Sequence, residues 1–96
     1  MEFAFVGRVI EWRGPSPYYY AEVPPPVSED IAGVATSVSY GWGAIPVDAR
    51  IGSTAFSTSL FPKDGRYLLP LRDAVRRAEG IGLNDRVAVE MQLRPA

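Results

Sequence analysis

RVAVEMQL (residues 86–93) is the stretch that decides the fold class, because a large apolar residue occupies every second position. Successive side chains of a strand point to opposite faces, so the pattern predicts a β-strand with one buried and one solvated face. The residues predicted to face inward are Val87, Val89, Met91 and Leu93.

Five further segments upstream are also rich in β-branched and aromatic residues and are bounded by Gly and Pro. The predicted strands cover residues 2–12, 18–23, 44–52, 53–61 and 66–71. Gly52-Ser53 predicts a two-residue hairpin, and PKDG (62–65) predicts a turn. Gly7, inside the first strand, predicts a bend or a bulge.

Two segments have helical spacing of their apolar residues. The first covers about 28–38, with Ser28 as N-cap and acidic residues in the first turn. The second begins with Pro70 in its first turn and ends at Gly80 as a left-handed cap. The residues of its predicted buried stripe are Leu71, Ala74, Val75 and Ala78.

The 96 residues therefore predict one domain, residues 1–96, of a mainly β class. Six short strands, two short helices and tight turns are typical of a small closed or nearly closed barrel. No apolar run is long enough to span a membrane. An acidic residue at position 2 and a charge at Arg8 argue against a signal peptide, so we expect a cytoplasmic protein.

The composition excludes several chemistries. The chain has no Cys and no His, which rules out disulfides, thiolate nucleophiles, imidazole bases and Cys or His zinc sites. We find no catalytic constellation, and we predict no enzymatic activity, no cofactor and no metal. The net charge of −1 disfavours nucleic acid, whose binding depends on phosphate neutralisation. Lys63, in the predicted turn, is expected to be solvated.

Aromatic and arginine residues near the predicted strand ends form the first candidate site. Trp and Tyr combine apolar area with a hydrogen-bonding group, and Arg binds carboxylates or phosphates bidentately. If these positions converge at one barrel end, they line a cleft for a small anionic or aromatic ligand, or for a protein segment. The alternative is that Trp12 and Trp42 plug the barrel ends as core residues. The candidate residues are Trp12, Arg13, Tyr18, Tyr20, Tyr40, Trp42 and Arg50.

Arg72, Arg76 and Arg77 in the second helix form another candidate site, a nucleic-acid face. Asp73 and Glu79 are interspersed among them, and Asp73 with Arg77 is a favourable i,i+4 pair. A solvated helix face with local ion pairs is therefore the favoured interpretation.

Four quoted stretches together resemble a known bacterial family. The stretches are WRGPSPYYYAEVP (12–24), SYGWGAIPV (39–47), TSLFPKDGRYLLPL (58–71) and AVRRAEGIGLNDRVAVEMQL (74–93). They are similar to the family catalogued as domain of unknown function 1905. The resemblance implies a small β-barrel, akin to the double-split barrels of AbrB-like transcription regulators, and implies no activity. The family usually has Gly-Asp where this chain has Asn84-Asp85; Asn tolerates left-handed geometry, so we expect the same turn.

Two functions follow as expectations. The favoured one is a non-enzymatic binding barrel, acting as a monomer or homodimer on a small molecule or a protein. The alternative is a regulator-like domain that contacts nucleic acid through the second helix, an expectation that rests on fold analogy alone.

Overall fold

The computed structural model describes residues 2–13, 18–38 and 43–94, and side chains 35–38 are left out of the description. These ranges contain six strands and two helices, as predicted. The elements in chain order are β1 (Glu2–Trp12), β2 (Tyr18–Glu22), α1 (Pro25–Val38), β3 (Ile45–Ile51), β4 (Thr54–Lys63), β5 (Arg66–Leu71), α2 (Asp73–Glu79) and β6 (Arg86–Leu93).

The six strands close into an antiparallel barrel in the order β1-β2-β5-β4-β3-β6. Two strands divide their pairing between neighbours. β1 pairs with β6 over residues 2–8 and with β2 over 9–12, while β4 pairs with β3 over 54–60 and with β5 over 61–63. The barrel therefore has two walls that share β1 and β4. Wall A contains β6 and β3, and wall B contains β2 and β5.

The barrel interior is filled by alternate residues of every strand. The four inward residues predicted for β6 are all buried, and so are Val47, Ala49 and Ile51 of β3. Because the side-chain period of a strand is two, the intervening residues of these strands lie on the outer surface. The binary pattern of the sequence is thus sufficient to fix which face of β3 and β6 is buried.

Helix α1 joins β2 to β3 at one end of the barrel and buries Ile31 completely. The predictions that Ser28 is its N-cap and that acidic residues lie in its first turn were wrong, because the helix begins at Pro25. Ser28 is instead buried inside the first turn. Its hydroxyl donates to the Val23 carbonyl at 3.1 Å and accepts the Tyr67 N–H at 3.3 Å, so it ties α1 to the ends of β2 and β5.

Helix α2 joins β5 to β6 at the opposite end. The prediction that it begins at Pro70 was wrong: Pro70 pairs with Tyr20 inside β5, and the helix starts at Asp73. β4 pairs with β5 only as far as Leu68, so β5 has a free edge at Pro70, where a proline is tolerated.

The predicted buried stripe of α2 is only partly correct. Val75 is buried, but Ala74 and Ala78 are exposed, and Leu71 is buried as a residue of β5. A helix of two turns at a barrel end has room for one apolar anchor against the core. Gly80 ends it in the left-handed conformation, as predicted (φ 62°).

The turns adopt the predicted backbone conformations, except that the turn in the PKDG segment begins later than predicted. Gly52 has a φ of 59° at the β3–β4 hairpin, and Asn84 has a φ of 69°, the left-handed geometry expected of it. In the PKDG segment the positive φ values fall on Asp64 and Gly65. The two residues before them belong to β4. Lys63 is therefore a strand residue, and the prediction that it lies in the turn was wrong.

No helix in the described part of the chain is both long and apolar enough to cross a lipid bilayer.

Candidate functional site

Three of the predicted site residues lie together on the outer surface of wall B. Trp12 on β1 is opposite Tyr18 on β2, and Ile10 is opposite Tyr20. Cross-strand partners point to the same face of a sheet, so Trp12, Tyr18 and Tyr20 share the outer face. The Tyr18 and Tyr20 rings pack edge to face with centroids 5.5 Å apart.

Two residues of β4 complete this cluster. The Phe61 ring lies 6.2 Å from the Trp12 ring in an edge-to-face arrangement, and it stacks on Tyr20 at 6.5 Å. The Lys63 ammonium lies 3.4 Å from the centroid of the Trp12 ring, within the range of a cation–π contact. We call the outer surface formed by Trp12, Tyr18, Tyr20, Phe61 and Lys63 the aromatic face.

The outer surface of wall B contains both buried and exposed apolar side chains. Leu68 lies on the same outer surface, in register with Phe61, and is only 4% exposed. Trp12 and Phe61 are 38% and 42% exposed. Neighbouring side chains thus cover Leu68, while the Trp12 and Phe61 rings remain partly exposed to water. Trp12 is accordingly not a plug of the barrel end, and the predicted convergence at a barrel end does not occur for Trp12, Tyr18 and Tyr20.

Phe61 and Lys63 were missed in the sequence because the turn was placed two residues too early. If β4 is continued through Lys63, the strand period puts Phe61 and Lys63 on one face, opposite to the buried Leu60. The signal was therefore present in the alternation. Pro62 obscured it, since proline usually marks the end of a paired strand.

Two predicted arginines do not join the aromatic face. Arg13 lies beyond the end of β1 and pairs with Glu11, with 3.4 Å between Nε and Oε1. Arg50 lies on the outer surface of wall A, opposite Glu90 of β6, in a shallow groove of about 340 Å³ that also contains Asp48. Wall A is on the far side of the barrel from β2 and β5, so Arg50 cannot act with the aromatic rings.

Tyr40 and Trp42, the remaining predicted site residues, lie outside the described residues.

The electrostatics of the aromatic face are mild. Partial burial raises the pKa of the Tyr20 phenol above its ordinary value, and the neighbouring Tyr18 adds a smaller effect in the same direction. Tyr20 is therefore a neutral hydrogen-bond donor at physiological pH. The face offers apolar and ring contacts, hydroxyl groups and one ammonium.

The arginines of the alternative site are largely committed to the fold. The Arg76 guanidinium pairs with Asp73 and lies 4.0 Å from the centroid of the Tyr19 ring. Arg72 was predicted in the helix but precedes α2 as its N-cap residue, and it donates to the Ser57 carbonyl at 2.9 Å. Arg77 is 82% exposed and approaches Asp73 at 3.8 Å. Arg77 thus lies largely in solvent with an exposed ion pair to Asp73, and the nucleic-acid role of this helix stays a prediction.

Comparison with known families agrees with the fold. The sequence model described as Domain of unknown function (DUF1905) matches residues 5–91. The match extends from Phe5 in β1 to Met91 in β6 and includes both α1 and α2. The chain therefore belongs to this family, as the four resembling stretches indicated. No curated protein matches the chain significantly.

Proposed function

We propose that this member of the DUF1905 family is a non-enzymatic binding module that holds a segment of another protein against its aromatic face. The observation that carries the proposal is the exposure of Trp12 and Phe61 side by side on a rigid wall of paired strands. Large aromatic side chains of this kind dominate the binding energy of protein interfaces, and leaving them in water is costly in a small domain.

The position of the rings favours a protein segment over a small ligand. Small-molecule sites are concave and enclose most of the ligand, whereas the four rings lie on the outer wall of the barrel. An extended segment can cover several rings at once and bury their exposed area. A small anionic or aromatic ligand, bound between Trp12 and Lys63, is the other occupant to be tested.

The charge on the face indicates the chemistry of the segment. The Lys63 ammonium lies against the Trp12 ring of the aromatic face. A partner that places an apolar or aromatic side chain beside Phe61 and a carboxylate beside Lys63 would satisfy both features. We therefore expect segments that combine an aromatic or aliphatic anchor with an acidic residue.

Selection from a displayed library of random peptides tests the proposal. The library is selected on the wild-type protein, and the affinities of the selected peptides are then measured for Phe61→Ser, Trp12→Ser and the control Val6→Ser. Val6 is 54% exposed and lies on β1 where that strand pairs with β6 in wall A. We expect at least tenfold weaker binding to the first two variants and unchanged binding to the control.

Peptides that bind all four proteins equally, or a library that yields no binder to the wild type, would contradict the proposal. Circular dichroism of each variant checks that the fold is kept. A parallel titration with aromatic carboxylates distinguishes the small-ligand alternative, because only that alternative predicts that they bind the wild type and not the Trp12→Ser variant.

Tryptophan fluorescence gives a direct readout of the face. The chain has two tryptophans, so Trp42→Phe leaves Trp12 as the reporter. Acrylamide should quench this partly exposed indole readily, and a bound peptide should protect it. Protection of Trp12 before any peptide is added would argue against an open face.

The alternative proposal, contact with nucleic acid through α2, has less support. It depends on Arg77, since Arg72 and Arg76 are engaged within the domain. Binding to duplex DNA at low salt, where counterion release favours it most, is the measurement that decides it. An undetectable affinity under those conditions would remove this function.

A further inference from the structure

A second surface feature lies on the outer side of the barrel where β1 passes from β6 to β2. A groove of about 330 Å³ is formed there by Val6, Arg8, Glu22, Val23, Pro24, Pro25, Arg66 and Arg86. We call it the arginine groove. Its three arginines come from β1, β5 and β6, which the barrel closure brings together.

The charges in this groove are unbalanced. Glu22 is its one carboxylate, and it is shared by Arg8 at 3.4 Å and Arg66 at 3.8 Å. Arg86 is directly opposite Arg8 in the β1–β6 register, and no carboxylate in the described part of the chain lies within ion-pair distance of it. Three guanidinium groups therefore face one carboxylate.

This arrangement is unfavourable for the isolated domain. Like charges directly opposite each other across two strands destabilise a sheet, and a neutral residue at either position would remove the repulsion. An anion placed between the two guanidinium groups turns the repulsion into attraction, because each can donate two parallel hydrogen bonds to it.

The start of α1 strengthens the field in the groove. Pro25, its first residue, lines the groove, and the first turn of this 14-residue helix has no acidic side chain. The positive end of the helix dipole therefore lies beside the groove, and the nearest acidic residues of α1, Glu29 and Asp30, follow in its second turn. Strands and helix contribute charge of the same sign to one concave surface.

We propose that the arginine groove binds the phosphoryl group of a small phosphorylated molecule. A doubly charged tetrahedral anion has enough oxygens to accept bonds from Arg8, Arg66 and Arg86 together, and arginine forks match that geometry. A groove of about 330 Å³ is in the size range of small-molecule sites. This site is separate from the aromatic face, and neither proposal depends on the other.

Calorimetric titration of the whole chain with inorganic pyrophosphate at low ionic strength tests the proposal. Arg86→Gln removes a guanidinium without breaking an ion pair of the fold. Its control, Arg77→Gln, makes the same change of charge at an exposed position of α2. We expect binding to weaken about tenfold or more in Arg86→Gln, the effect of one charge-assisted bidentate contact, and less than twofold in the control.

A variant of the groove carboxylate gives a result of opposite sign. Glu22→Gln frees Arg8 and Arg66 for the ligand, so pyrophosphate should bind more tightly than it binds the wild type. The exposed Glu90 of wall A provides the control of equal charge change, Glu90→Gln, which should have little effect. A residue that only supported the fold would weaken binding when replaced.

Competing anions define the ligand class. Sulfate and inorganic phosphate should displace pyrophosphate, and acetate at the same concentration should not. The proposal is overturned if millimolar pyrophosphate produces no binding, if acetate competes as well as sulfate, or if Arg86→Gln and Arg77→Gln weaken binding equally. Unchanged thermal unfolding transitions show that each variant is folded.

Discussion

Replacing Gly7 by Ala should destabilise the barrel where its two walls meet. Gly7 is the next-to-last β1 residue paired with β6 before the strand turns to β2. A Cβ at this position would lie 2.4 Å from the backbone oxygen of Glu22 and 3.3 Å from the Phe5 ring. The ring can move, but Glu22 is paired with Leu68 of β5, so its carbonyl cannot move alone.

The magnitude follows from that contact. Carbon–oxygen contacts are normally about 3.3 Å or longer, so the two walls must separate by roughly 1 Å. Overpacking of this kind costs about 1–3 kcal/mol. The smaller entropy of the unfolded Ala chain offsets about 0.4–1 kcal/mol, because Gly7 is not among the positive-φ residues. We expect a net loss of roughly 1–2 kcal/mol in the free energy of unfolding.

Gly33→Ala is the matched control. Gly33 lies in α1, and a Cβ there would have no neighbour within 4 Å. The substitution should therefore stabilise the protein by about 0.5–1 kcal/mol, the helix propensity difference. Urea unfolding of both variants measures the two free energies. A Gly7→Ala variant as stable as the wild type would refute the close approach of the two walls.

Three further predictions concern single contacts. A double-mutant cycle of Lys63→Met and Trp12→Leu should give a coupling of about 0.5–1 kcal/mol in unfolding free energy; a coupling of zero would mean that the ammonium does not lie on the ring. Ser28→Ala should cost about 1–3 kcal/mol, because the buried N–H of Tyr67 and the Val23 carbonyl lose their partner; chemical unfolding measures it, and a neutral effect would contradict the bridging role. Folding raises the pKa of Tyr20, so the stability that depends on its neutral phenol is complete below a pH of about 10 and is lost as the pH rises through the folded pKa. Tyr20→Phe should therefore remove a component of the tyrosinate absorbance titration that lies above the ordinary range of tyrosine. If the variant's curve has the shape of the wild-type curve at reduced amplitude, the pKa of Tyr20 is not raised.

The local pattern of the sequence determined the secondary structure to a large extent. Alternation in RVAVEMQL (86–93) and in β3 predicted which side chains are buried, because the period of two holds wherever one face of a strand is covered. Gly52, Gly80 and Asn84 adopt the left-handed conformations that their turns require. These features depend on short stretches of chain, so the sequence carries them without knowledge of the fold.

Pairing with distant segments decided the points where the prediction was wrong. Pro62 and Pro70 are local signals for a turn and a helix start, yet both lie in strands, because β4 and β5 each lose a pairing partner near them. Ser28 has the residue type of an N-cap, but the ends of β2 and β5 give its hydroxyl two other partners. A long-range contact outweighed the local preference in each case.

The candidate sites also depended partly on local sequence and partly on the pairing of distant strands. The sequence grouped Trp12, Tyr18 and Tyr20 because they lie near predicted strand ends, whereas the β1–β2 register placed them on one outer face. Closure of the barrel added Phe61 and Lys63 to them, placed Arg50 on the opposite wall, and brought Arg8, Arg66 and Arg86 from three strands around Glu22. The alternation of the amino-acid sequence thus determined which face of β3 and β6 is buried. Which side chains meet was decided by the strand order of the barrel, since that order joins residues far apart in the chain.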